Sequence, residues 1–123
     1  MSNTENPHYA SINRYPRKLT LTHQGTVIAE TTNALILKEV AHGRVSDPVF
    51  YIPQSDIKVE MVMDPESKGR CPIKGNSNRW NLKTNPVGPY FGWSYEEPLD
   101  GAKEIKGHIA FNGAFVSFLS EPL

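Results

Sequence analysis

The chain has 123 residues, with 13 Lys and Arg balancing 13 Asp and Glu, and a single cysteine. That length gives one domain with a modest core, and the zero net charge removes any whole-domain case for nucleic acid or anionic membrane. One cysteine cannot form an internal disulfide, no apolar run approaches the roughly 18 residues of a spanning helix, and the polar N-terminus lacks a signal-type segment, so the expected compartment is the cytoplasm.

Taken in chain order, residues 1–15 read as a flexible arm ahead of a single domain over residues 16–123. In KLTLTH, Leu19 and Leu21 alternate with Lys18, Thr20 and Thr22, the period of a half-buried strand. Gln24-Gly25 then reads as a hairpin turn into TVIAE. Ala34–Val40 is a more apolar strand, AHGRVSDP a loop, and VFYI a short strand before a turn at Pro53–Asp56. Val59, Met61 and Met63 alternate with Lys58, Glu60 and Val62 in KVEMVM, a half-buried strand, whereas DPESKGRCP reads as turn. Pro98–Lys106 suggests a short helix, weakened by Gly101. Asn112-Gly113 predicts a two-residue hairpin with Ile109, Phe111, Val116 and Phe118 on one core-facing side. The ten prolines and nine glycines leave no room for long helices. The expected class is mainly antiparallel β, with several short strands in more than one sheet and at most one or two helical turns.

The segment RCPIKGNSNRW concentrates the candidate chemistry. Structural zinc wants four Cys or His ligands in close pairs, and His8, His23, His42 and His108 are scattered around one cysteine, so no metal site or other cofactor is expected. A P-loop places glycines ahead of its lysine, the reverse of Lys74-Gly75. Asp47, Asp56, Asp64 and Asp100 are too separated to suggest a two-metal phosphoryl-transfer site. Cys71, between Arg70 and Lys74, is a candidate nucleophile or redox thiol because nearby cations favour thiolate. The bland alternative is a buried cysteine acting as a small hydrophobe. Lys74, Gly75 and Arg79 offer an anion-binding loop, for which Trp80, Tyr90, Phe91, Trp93 and Tyr95 could supply walls. Both tryptophans could equally be core. Basic residues among aromatics also suit single-stranded nucleic acid, but the charge balance argues against it.

The order of several segments adds a resemblance. Ile28–Leu35, Tyr51-Ile52-Pro53, Cys71-Pro72-Ile73-Lys74-Gly75 with Trp80, Trp93-Ser94-Tyr95 and Gly107–Phe111 resemble a mostly bacterial family of unknown function, sometimes labelled nucleotidyltransferase-like. The resemblance runs from about Arg14 onward, and Ile73 stands where family members usually carry an aromatic. It implies a β-tent fold of coiled antiparallel sheets, shared with zinc-binding chaperone-like proteins and methionine-R-sulfoxide reductases. The Cys-x-x-Cys pairs and the C-terminal cysteine of those relatives are missing here. Positions matching the motif include Glu39, Tyr51, Cys71, Lys74, Gly75, Trp80, Trp93 and Tyr95. Glu39 follows an apolar run, so its carboxylate would want a partner, with Lys74 or Arg79 as candidates.

Three functional readings follow. The first is a pocket for a small, anionic ligand near the Cys71–Gly75 loop, formed with Arg79, Trp80, Trp93, Tyr95 and Glu39. The second is an enzyme using Cys71. The third is a homodimer joined through an exposed strand edge.

Overall fold

The structure is a computed structural model that describes residues 8–123. The chain runs through β1 (Tyr9–Arg14), β2 (Lys18–His23), β3 (Thr26–Thr31), β4 (Leu35–Ala41), β5 (Arg44–Val45) and β6 (Val49–Pro53). It continues through β7 (Met61–Cys71), β8 (Gly75–Leu82), β9 (Gly92–Ser94), β10 (His108–Phe111) and β11 (Ser117–Glu121). Two 3-10 segments, Gln54–Asp56 and Asp100–Ile105, are the helical elements among the described residues. Thus the mainly antiparallel β class expected from the two-residue alternation is the one observed. No helix among these residues is long and apolar enough to cross a membrane.

The strands form two sheets. The larger has eight strands, in the order β1-β4-β6-β10-β9-β8-β7 with β5 added beside β4; the smaller has the order β11-β2-β3. Alternation then sorts the side chains of the large sheet onto two faces. Ile52, Ile109, Phe111 and Trp80 point to a core shared with Leu19, Leu21 and Ile28 of the small sheet. Tyr51, Ala110 and Trp93 point the other way, joining Leu37, Tyr95, Ala102 and Ile105 in a second cluster. Each fully buried Leu, Ile or Phe in these cores contributes roughly 1.5–3 kcal/mol. Between the strands, Gly92 is needed for close approach: a Cβ there would lie 2.6 Å from the Ala110 carbonyl oxygen.

Five expectations change. Within the segment expected to be an arm, Tyr9–Arg14 is a strand, paired with β4 in a register that sets Ile12 opposite Leu37. Ala10 and Ile12 pack on the second cluster, and that burial holds the strand. Residues 1–7 of the expected arm lie outside the described residues. The stretch read as turn, Asp64–Cys71, is the second half of β7, with register breaks between Met63 and Gly69 that absorb its irregular sequence.

The C-terminal hairpin does not form. Asn112 still makes a turn, its carbonyl accepting from Phe115 N–H at 3.0 Å. However, neither Asn112 nor Gly113 has the positive φ that a two-residue type I′ loop requires. The arms separate: β10 pairs with β6 and β9, and β11 pairs with β2. Ile109, Phe111 and Val116 are buried as expected, whereas Phe118 is 39% exposed. Gln24-Gly25, with φ of 49° and 79°, is the expected hairpin turn; His42-Gly43, at 53° and 76°, is a second one inside the segment read as loop. Finally, the short helix expected over Pro98–Lys106 is a 3-10 segment, kinked at Ala102.

Candidate functional site

The second cluster carries the buried charge of the molecule. Leu35, Leu37 and Glu39 share one face of β4 by alternation, and Leu35 stands directly opposite Tyr51 on β6. Glu39 therefore extends an apolar row towards the end of the sheet, where the β7–β8 turn delivers Lys74. The Lys74 ammonium lies 2.6 Å from Glu39 Oε1, with the two side chains 11% and 22% exposed. His8 approaches the other carboxylate oxygen at 3.8 Å. The Lys74 nitrogen also sits over the Tyr95 ring, 5.3 Å from its centre. The partner that Glu39 requires is therefore Lys74, and Arg79 points elsewhere.

This arrangement fixes protonation states. Burial opposes the Lys74 charge more strongly than any other single influence. Against it, Tyr51 and Tyr95, as phenolates at alkaline pH, and the Glu39 carboxylate together hold the ammonium above the ordinary lysine range. Burial pushes the Tyr51 phenol up to about 12, with the Lys74 charge offsetting only part of that rise. Tyr95 is raised by burial as well. Near neutrality the group therefore offers a fixed positive charge and two protonated phenols. An amine nucleophile or a phenolate base would need the opposite shifts. The Tyr51 hydroxyl is buried and makes no well-formed hydrogen bond among the described residues, only a weak contact with the Trp93 side chain.

Gly75, the first residue of β8, has φ +106°, a conformation that favours glycine. A Cβ there would come within 3.3 Å of the Glu97 carbonyl and 3.5 Å of Leu99 Cγ. The Leu99 N–H donates to the Lys74 carbonyl at 3.0 Å. Gly75 is thus committed to docking the 97–99 segment against the turn. Cys71, directly opposite Gly75 at the end of β7, is partly exposed and packs against the second cluster.

Beside this charged group lies an open cleft of about 220 Å³, lined by Lys68, Gly69, Ser77, Arg79, Tyr90, Trp93 and Tyr95. Its construction follows from strand register. Arg79 on β8 stands opposite Trp93 on β9, so both side chains leave the sheet on the same side. Ser77 joins them two residues earlier, and Tyr95 two residues later on the other strand. The Arg79 guanidinium stacks over the Tyr90 ring at 4.6 Å. Tyr90 meets Trp93 edge to face, with centres 6.1 Å apart and planes at 82°. Lys68 is engaged by Asp64 at 3.2 Å and Glu66 at 3.6 Å. Arg79 has no such ion pair among the described residues. Asp64 senses its charge only weakly, after its own contacts with the Glu66 N–H and Lys68.

The eight candidate residues therefore divide. Arg79, Trp93 and Tyr95 meet in the cleft; Glu39 and Lys74 pair behind Tyr95; Gly75 and Cys71 serve the turn. Trp80 is on the opposite face of β8, packed against the intersheet core. Its indole N–H donates to Ser94 Oγ at 2.8 Å, and that hydroxyl donates to Glu96 Oε2 at 2.5 Å. Lys68 and Ser77 are cleft residues that the sequence reading missed. Once Arg79 is placed, the i, i+2 rule identifies Ser77; Lys68 required the bulged register of β7. Among the described residues, no three His, Cys, Asp or Glu side chains converge as metal ligands would.

Fold and site together define a mainly antiparallel β domain with a buried lysine–carboxylate pair behind an arginine- and aromatic-lined cleft. The chain belongs to a family described as a domain of unknown function, DUF427, whose model matches residues 11–121 and carries a nucleotidyltransferase-type name. No curated protein shows significant similarity to it.

Proposed function

We propose that the protein binds a small anionic ligand in the cleft between β7, β8 and β9. The observation that supports this most directly is Arg79: a guanidinium stacked on Tyr90, without an ion-pair partner among the described residues, at the mouth of an aromatic cleft. Arginine's planar fork suits carboxylate and phosphate oxygens, and a stacked guanidinium loses less freedom on binding. Lys74 contributes from behind the wall, holding Tyr95 in place. The two tryptophans provide the test. In an NMR titration with small organic anions, the Trp93 indole signal should move saturably while the Trp80 signal stays still. Arg79→Gln should abolish the response. A panel that leaves Trp93 unmoved, or an Arg79→Gln variant that responds like the parent, would sink the reading. The thiol-enzyme alternative gains less support, because Lys74 is committed to Glu39 rather than free to activate Cys71.

The homodimer reading is favoured by one observation. β11 ends its sheet with Phe118 and Leu119 exposed, and neither lysine nor proline interrupts the strand. Light scattering across a concentration series checks it: dimers should form and Leu119→Lys should dissociate them, whereas a monomer throughout removes the idea.

A further inference from the structure

We propose, building on the anion-site reading above, that the ligand is an aromatic monocarboxylate, one flat ring system bearing a single carboxylate, rather than a nucleoside polyphosphate. Size is the first argument. At about 220 Å³ the cleft falls below the roughly 300–1,000 Å³ of sites that engulf drug-sized ligands. It holds a ring and one polar group; a base, a sugar and a phosphate chain would extend far beyond its walls.

Charge is the second argument. Two cations line the cleft, but Lys68 already faces both Asp64 and Glu66. The Lys74 charge is matched by Glu39. One cation, Arg79, is left to be neutralised, and a monoanion does so. A polyphosphate would bring several negative charges beside the two carboxylates that hold Lys68, with no further cation lining the cleft to meet them.

Wall geometry is the third argument. Tyr90 and Trp93 stand nearly perpendicular and Arg79 already covers one face of Tyr90, so a flat ring stacked on Trp93 meets Tyr90 at a right angle, both being arrangements aromatic rings prefer. Arg79 lies over Tyr90 and opposite Trp93, which places a carboxylate partner at the end of such a ring. Ser77, two residues before Arg79 on β8, adds a hydroxyl donor on the same side.

Titration of the full chain with benzoate, indole-3-carboxylate, benzamide, inorganic phosphate and ATP with Mg²⁺, read at the Trp93 indole signal, separates the possibilities. The two aryl carboxylates should bind saturably. Benzamide, of the same shape but uncharged, should bind roughly ten-fold or more weakly, the expected effect of losing a hydrogen bond to a charged group. Arg79→Lys should fall between the parent and Arg79→Gln, since it keeps the charge and loses the fork. Phosphate or ATP binding as tightly as benzoate would overturn the monocarboxylate assignment while leaving an anion site standing. Benzamide matching benzoate would overturn it too. If none of the anions moves Trp93, the anion site itself fails.

Discussion

The two faces of the large sheet are built from the same strands and do different work. On the face towards the small sheet, Ile52, Phe91, Ile109 and Phe111 pack with Leu19, Leu21 and Ile28. On the other, Tyr51 and Ala110 share their layer with a buried phenol, a lysine and a carboxylate. One residue step along β6 or β10 moves a side chain from one world to the other. The lesson is that apolar packing dominates the first face, with the Trp80–Ser94–Glu96 hydrogen bonds as its polar margin, whereas the second depends on a matched set of charged and polar groups. Its open end is where the cleft lies.

The largest expected effect breaks the apolar face. Phe91 is fully buried and meets Phe111 edge to face at 5.7 Å and His23 at 5.0 Å. Phe91→Ala should cost about 3–5 kcal/mol, the range for removing a buried aromatic ring. Urea unfolding measures it, and a loss under about 1 kcal/mol would contradict the packing account.

On the charged face the corresponding cut is Lys74→Met. It strands the Glu39 carboxylate, which costs about 3–5 kcal/mol when fully buried and less at this partial exposure, so about 2–3 kcal/mol is expected. Adding Glu39→Leu should restore most of the loss, because well-packed apolar replacements of an ion pair are often neutral. This recovery distinguishes the faces. No second substitution of that simplicity repairs Phe91→Ala, and a Glu39–Lys74 cycle without coupling would erase the distinction.

How far the sequence revealed these faces depended on whether the deciding contact was local. Alternation in KLTLTH and the apolar run in ALILKEV identified strands, and the carboxylate at Glu39 announced its need for a partner. Asn112-Gly113 misled because a strong turn signal says nothing about which strands receive its arms. There, β6 and β9 on one side and β2 on the other outcompeted self-pairing. Trp80 and Trp93 looked alike in composition, yet the register setting Arg79 opposite Trp93 sends them to opposite faces. Lys68 was hidden by the bulges in β7, which a fixed two-residue period cannot anticipate.

A smaller effect appears only at high pH. Tyr51 and Lys74 both hold their protons more tightly in the fold than in the unfolded chain, Tyr51 up to about 12. Their stabilising contribution is full below the unfolded values of about 10 for tyrosine and 10.4 for lysine, and is lost as pH rises through the raised ones. Stability should thus decline above about pH 10, by on the order of 2 kcal/mol from Tyr51 alone. Tyr51→Phe removes a hydroxyl that makes no well-formed hydrogen bond, only a weak contact with Trp93, so it should leave neutral-pH stability nearly unchanged and flatten the alkaline decline. An equally steep decline in that variant would place its origin elsewhere.

The smallest stability effect belongs to the residue on which binding rests. Arg79 is partly exposed and has no ion pair among the described residues, and its stacking on Tyr90 is a surface contact. Arg79→Gln should therefore shift unfolding by no more than about 0.5 kcal/mol, the usual scale for surface substitutions. The same substitution should remove the ligand response at Trp93. Lys74→Met reverses the pattern, with stability falling and binding weakened only through Tyr95. If Arg79→Gln proves as destabilising as Lys74→Met, the guanidinium is a structural member of the charged face, and its freedom to meet a ligand disappears. A stable, unresponsive Arg79→Gln protein would instead separate the two roles: Glu39 and Lys74 build the wall, and Arg79 uses it.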